Sequence, residues 1–253
     1  MIPRARVVRY VTPLREGGSL PGVVEADDLG TYVCKFAGAG QGVRVLVAEV
    51  IVSGMASRLG LCTPRLVALE LDRSIARYEA DEEVQDLLVA SIGLNLGVDF
   101  LPGSFGFDGA VSAGATDHAM ILWLDAFSAN VDRSWRNPNL LVWHDDVWVI
   151  DHGASLYFHH AWSNGVTDAA RFARQPWDPS DHVLRAHLPE VAQADARARR
   201  VLSREVFEEV VAEVPDEWLT STPGVTPRLL REAYVDFLDA RLGSTAWLPG
   251  VAA

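Results

Sequence analysis

The chain has 253 residues and a mass of 27.6 kDa, with 49% hydrophobic and 22% charged residues. That composition excludes general disorder, and the length suffices to bury a core without disulfide or metal staples. The 22 Lys+Arg against 34 Asp+Glu leave a net charge of −12 and a pI near 5.0. Phosphate-backbone binders concentrate positive charge, so nucleic acid is excluded as the expected main ligand and a small-molecule or protein partner is favoured.

In chain order, the opening MIPRARVVRY carries no apolar h-region behind its arginines, so no secretory leader is expected. An apolar segment at 7–11 leads into the turn-rich stretch 15–22. Asp27-Asp28-Leu29-Gly30 reads as a hairpin connection into a strand over 31–36, where Thr31, Val33 and Lys35 share a face. A glycine-rich loop, 36–42, follows. Apolar positions at helical spacing predict a helix over 43–61, with Gly60 at its C′ position and Pro64 just beyond. Gly54 and Arg58 interrupt this most apolar stretch, and no run reaches the ~18–20 apolar residues of a membrane span. No membrane association is therefore expected, and the expected location is the cytoplasm. The two cysteines, Cys34 and Cys62, form no CxxC motif and no disulfide framework.

Next come a strand over 65–71, a helix over 81–90, and a strand end entering a loop at Val98-Asp99-Phe100-Leu101-Pro102-Gly103. A helix is expected over 116–131, then a polar loop over 130–139. Two short strands, 140–143 and 147–150, are joined by His144-Asp145-Asp146, and Asp151-His152-Gly153 ends the second. From 180 to 242 the chain reads as mostly helical, with Ser203 and Thr226-Pro227 as helix starts and Gly243 as a stop. Strands dominate 1–103 and helices 104–253. The expected fold class is α+β with two lobes: a twisted antiparallel sheet with one helix, then a mainly helical lobe.

Lys35 is the only lysine among the 22 basic residues. Arginine bias has a bland source in base composition, but it does not explain the survivor. Lysine is a compact point charge, whereas arginine is a planar fork. Lys35 ends a strand, and Glu49 lies fourteen residues on in the following helix. Downstream, Asp132 is followed by Asn137 after five residues, then by strand, turn, strand and Asp151-x-Gly153. Phosphoryl transfer needs these groups: a lysine on the α/β-phosphates, an aspartate to accept the hydroxyl proton, and an asparagine and a second aspartate to hold Mg²⁺.

Tyr32-Val33-Cys34-Lys35-Phe36, Asn130-x-Asp132-Arg133-x-x-x-Asn137 and Val149-Ile150-Asp151-His152-Gly153-Ala154 together resemble the HipA-like kinase family of bacteria. The Asp132-Arg133 pair and the asparagine after it are also similar to the phosphatidylinositol 3/4-kinase catalytic loop. Asp99-Phe100-Leu101-Pro102-Gly103 resembles the hinge of aminoglycoside-phosphotransferase-type kinases. The resemblance spans 10–165 and implies a protein-kinase-like fold, ATP and Mg²⁺ as cofactors, and a protein serine or threonine as acceptor. It implies that Lys35, oriented by Glu49, holds the α/β-phosphates and that Gly17, Gly18 and Ser19 form the phosphate loop. It places Phe100 and Leu101 at the adenine, Asp132 as base, and Asn137 and Asp151 on the metal. Ser134 departs from the histidine frequent there in the family, and Asn139, directly before the strand, competes with Asn137 for the metal role.

Blander readings stand beside these. Asp132-Arg133 could be a salt bridge at a helix end, and Asp-x-Gly is a common turn. The ordered set favours catalysis over either. His144, His152, His159 and His160 lie near several aspartates, yet adjacent His159 and His160 would face opposite ways on a strand. A histidine metal centre is accordingly disfavoured. Two alternatives remain: a small-molecule kinase of the aminoglycoside-phosphotransferase type, for which an acidic protein would recruit a cationic substrate, and a non-catalytic pseudokinase.

Overall fold

The computed structural model describes residues 1–15, 20–40, 42–77, 79–109 and 117–250. Gly17, Gly18 and Ser19, the expected phosphate loop, lie outside the described residues. Two compact units emerge, Met1–Val47 with Pro64–Pro102 and Ala48–Thr63 with Gly103–Ala253.

The first unit is built on β1 (Arg4–Pro13), β2 (Gly22–Ala26) and β3 (Thr31–Lys35). The helix α1 (Val43–Arg58) follows and passes from the first unit into the second. The first unit resumes with β4 (Leu66–Leu71), the short α2 (Arg73–Ala76), α3 (Glu82–Ala90) and β5 (Gly93–Asp99). Alternation works as expected in β3: Tyr32 and Cys34 are buried, while Thr31, Val33 and Lys35 are half-buried on the other face. The expected turn at 27–30 is present, with Ala26 N–H donating to the Gly30 carbonyl at 3.0 Å.

The sheet departs from expectation. It is not wholly antiparallel but a closed barrel in the order β1-β2-β3-β5-β4, shut by a parallel pairing of β1 with β4 (Arg4 opposite Ala68, Arg6 opposite Glu70). The cause lies in β1. Its register against β2 shifts between Val7 and Arg9 and again between Tyr10 and Thr12, and bulges of this kind bend and twist a strand. One end of β1 can then pair β2 and the other β4. Alternation marks faces but not neighbours, so closure is invisible to it. Val24, Tyr32, Cys34, Val67 and Leu69 fill the interior. Gly97 makes room there, since a Cβ at that position would lie 2.6 Å from Leu69 Cδ1.

Asn95, fully buried on β5, braces the loop after β3. Its Oδ1 accepts from Ala37 N–H at 2.8 Å and its Nδ2 donates to the Ser91 carbonyl at 2.8 Å.

The second unit contains β6 (Phe105–Gly106), α4 (His118–Ser128), β7 (Leu140–Trp143) and β8 (Asp146–Val149), followed by α5 (Ala169–Arg174), α6 (Val191–Val201), α7 (Arg204–Ala212) and α8 (Pro227–Leu242). The helix expected over 116–131 is shorter. Thr116 lies outside the described residues, Asp117 caps the start, and Ala129 ends the helix in the left-handed region at φ 56°. Ser203 and Thr226 cap α7 and α8 as expected. His159 and His160 sit in the 3-10 helix Tyr157–Asn164, not in a strand, so their rings meet edge to face at 4.5 Å instead of pointing apart. Among the described residues no helix is long and apolar enough to cross a membrane.

Candidate active site

The site in the second unit grows from α4. Its sequence, HAMILWLDAFS, is buried from Ala119 to Ser128, and Asp125 is its one carboxylate. A carboxylate in a dry helix must be paired, because an unpaired buried charge is costly. Asp125 is fully buried and receives three partners. Arg133 Nε donates to Oδ2 at 2.5 Å, His182 Nε2 to the same oxygen at 3.0 Å, and Asn130 Nδ2 to Oδ1 at 2.9 Å. The His182 tautomer follows from geometry. Its Nδ1 accepts Leu184 N–H at 3.1 Å, so the proton sits on Nε2, facing the carboxylate. Burial alone would raise the Asp125 carboxyl. The Arg133 charge and the His182 hydrogen bond outweigh it and hold the group well below the usual carboxylate range.

The α4 C-terminus is fixed from behind by buried Arg241. Its Nε donates to the Phe127 carbonyl and its Nη2 to the Ala126 carbonyl, each at 2.7 Å. A cation there satisfies the last helical carbonyls and complements the helix dipole. Burial pushes the Arg241 guanidinium down to about 9.

Arg133 spends its remaining donors on backbone carbonyls and on the His152 ring. Nη1 donates to the carbonyls of Asn139 and, at 3.1 Å, Ile150, and Nη2 lies 3.4 Å from His152 Nδ1. Arg133 therefore does not pair with Asp132; its carboxylate is Asp125, eight residues back. One guanidinium ties α4, the polar loop, the start of β7 and the end of β8 together. A planar fork with five donors suits this task and a lysine would not.

Asp132, half-buried beside this clamp, is set by Asn130, whose Oδ1 accepts the Asp132 N–H at 3.0 Å. Both candidate asparagines reach its Oδ2, Asn137 Nδ2 at 2.8 Å and Asn139 Nδ2 at 3.1 Å. With its nitrogen turned to the carboxylate, each amide has its oxygen left for other partners. Asn137 is exposed, whereas Asn139 pairs across the hairpin, its carbonyl accepting Ile150 N–H at 3.1 Å. Asp151 is the next residue after Ile150. It lies two residues past the end of β8, half-buried, at φ 55°. Ala129, Asn139, Asp151 and Leu156 all take positive φ around this cluster, a costly backbone state that concentrates at functional sites. Asp132, Asn137, Asn139 and Asp151 are thus gathered by one loop and one hairpin.

Among the described residues no three His, Cys, Asp or Glu side chains are grouped to hold a metal ion. The donors present are hard oxygens of Asp151 and an asparagine amide. That set suits Mg²⁺ shared with phosphate oxygens, which seldom takes an all-protein cage.

The other predicted site residues belong to other elements. Lys35 ends β3 opposite Leu96 of β5. Phe100 and Leu101 follow β5 in the same unit, Phe100 exposed and Leu101 buried, with Phe100 N–H donating to the Thr31 carbonyl at 3.0 Å. Glu49 is buried on α1, in the part that belongs to the second unit.

Sequence reasoning missed Asp125 and His182. Asp125 had a usable signal, a lone carboxylate in an otherwise apolar helix. His182 had none, because 57 residues separate it from its partner. A cavity of about 670 Å³ opens at the opposite end of α4, beside Asp117, His118, His187, Glu190, Arg197 and Arg200. None of the loop residues above line it. His118 Nδ1 and His187 Nε2 are 3.3 Å apart at its wall, and burial followed by the neighbouring His187 lowers the His118 imidazole.

A family model described as HipA-like kinase matches residues 7–242. No curated protein matches the chain. Among solved structures, the chain is similar to the Helicobacter pylori proinflammatory kinase CtkA, with 12% identity and a TM-score of 0.52 over 91% of this chain and 90% of that one. It is also similar to the golgi casein kinase, with 11% identity and a TM-score of 0.42 over 99% of this chain and 73% of that one. The CtkA likeness is one of fold.

Proposed function

The chain belongs to the HipA-like kinase family, and from that premise we propose that it transfers the γ-phosphate of Mg²⁺-bound ATP to a hydroxyl, that of a protein serine or threonine. In this reading it is bilobal, with 1–103 as the nucleotide lobe and 104–253 as the acceptor lobe. The observation that carries it is the half-buried Asp132 carboxylate with the amides of Asn137 and Asn139 both on Oδ2.

That arrangement suits phosphoryl transfer. Two amide donors orient the carboxylate without neutralising it, so Asp132 can accept the proton of a hydroxyl as its oxygen attacks the γ-phosphorus and ADP leaves. Asn137 and Asp151 would hold Mg²⁺, which supplies charge neutralisation on the phosphates. Lys35, oriented by Glu49, would hold the α/β-phosphates as a point charge. Gly17, Gly18 and Ser19 would cover the phosphates with backbone N–H groups. Phe100 and Leu101 would flank the adenine.

Calorimetric titration of ATP with and without Mg²⁺ tests the nucleotide half of the proposal. Saturable binding that requires Mg²⁺ is expected, and no binding under either condition would leave an inactive relative. Incubation with γ-labelled ATP and either casein or an aminoglycoside tests the acceptor. Label on protein is expected, and label on the aminoglycoside alone would move the assignment to a small-molecule kinase.

A further inference from the structure

Residues 130–135 belong to no helix and no named strand, yet Asn130 and Arg133 are buried, and enclosed N–H and C=O groups need partners. Several of those partners come from one distant stretch, 177–184. Trp177 Nε1 donates to the Asn130 carbonyl at 2.7 Å. Trp135 N–H donates to the Asp181 carbonyl and Val183 N–H to the Arg133 carbonyl, each at 3.3 Å. Ser134 and His182 form an antiparallel bridge between the two stretches. His182 then passes beneath the loop to Asp125, and the Trp177 ring packs edge-on against it with centroids 5.4 Å apart. The stretch is itself braced: Asp178 Oδ1 accepts Ser180 N–H at 2.9 Å, and the Pro179 carbonyl accepts His182 N–H at 3.1 Å.

We propose that 177–184 is a strap that sets the catalytic loop, with His182 and Trp177 as positioning residues for Asp132. His182 acts through Asp125, which fixes Asn130 and Arg133 and through them the Asn139 and Ile150 carbonyls. Trp177 acts on the Asn130 carbonyl directly. Neither side chain reaches a reacting group. The strap holds the loop so that Asp132, Asn137 and Asp151 keep one geometry. Its effect on rate rests on the kinase reading above; its effect on loop order does not.

The test uses the full chain and three variants. His182→Ala removes the donor to Asp125. His182→Gln keeps one, because the glutamine amide nitrogen reaches where Nε2 lies. Trp177→Phe keeps an aromatic ring against His182 but loses the N–H together with part of the indole. Backbone amide exchange is read over 132–136 and, as an internal control, over α8. His182→Ala is expected to speed exchange of the loop amides at least about tenfold with α8 unchanged, and His182→Gln to restore most of the protection. With γ-labelled ATP and casein as probe acceptor, His182→Ala is expected to lower kcat about tenfold to a hundredfold while ATP affinity stays within about twofold, since small misplacements cost rate before binding. Trp177→Phe should show the same split, about threefold in size.

Loop exchange unchanged in both His182→Ala and Trp177→Phe would overturn the proposal. So would kcat and ATP affinity falling together in proportion to unfolded protein. A wild-type protein that transfers no phosphate would count against the kinase reading alone, and the exchange measurement would still decide the strap.

Discussion

The barrel interior of the first unit and the clamp around Asp125 in the second are equally dry, but different forces fill them. Val24, Tyr32, Cys34, Val67 and Leu69 hold the barrel by shape and burial, interactions that tolerate a neighbour of similar volume. Asp125, Asn130, Arg133 and His182 hold the clamp by directed hydrogen bonds to a single carboxylate. In such a network each member leaves another unpaired when it is removed. A buried ion pair of this kind is weak evidence for stability; here it fixes where a loop sits. The contrast predicts that the barrel yields by degrees and the clamp all at once.

The largest effect should come from the residue that the clamp serves. Asp132→Ala should lower phosphoryl transfer roughly a thousandfold, within the range for a lost general base, with ATP affinity within about twofold. Retained turnover in a labelled-phosphate assay would remove Asp132 from catalysis. Asp125→Leu should follow, costing about 3–5 kcal/mol in urea unfolding because Arg133 stays buried without its carboxylate. The folded Asp125 carboxyl titrates below the unfolded value of about 3.9, so its stabilisation is complete above that pH and fades as pH falls through the folded value. The gap between wild type and Asp125→Leu should therefore narrow on acidification.

Leu69→Ala in the barrel should cost about 2–5 kcal/mol, but the near-isosteric Leu69→Met less than about 1.5 kcal/mol. Asp125→Asn changes even less volume, so a cost as mild as that of Leu69→Met would break the comparison. Lys35→Arg should lower kcat/KM about tenfold without changing the unfolding midpoint, because the guanidinium fork does not reproduce a point contact. The smallest effect belongs to exposed Trp135, stacked under Arg136 at 4.2 Å; Trp135→Ala should shift stability by no more than about 0.5 kcal/mol.

Much of the fold was legible from local pattern. The 27–30 turn, β3 with its two faces, and the caps Ser203 and Thr226 depend on residues a few positions apart, and each formed as read. The order of Lys35, Asp132, Asn137 and Asp151 was legible because the spacing of the last three is set by one loop and one hairpin. The closure of the barrel was not, since the two bulges in β1 leave no mark in its alternation. The contest between Asn137 and Asn139 also took a different form: spacing treated them as alternatives, and the folded loop brings both amides to one oxygen of Asp132.

By itself the sequence named candidate residues for phosphoryl transfer, and through motif order it pointed to the family, because covalent neighbours and short turns fix those relations. Only the tertiary structure decided what holds those residues in place. It gave Arg133 a buried partner on α4 and brought His182 and Trp177 under the loop from dozens of residues away. Those contacts arise when a chain folds around a carboxylate it has to satisfy, and no spacing rule connects residues that meet only after the interior has closed.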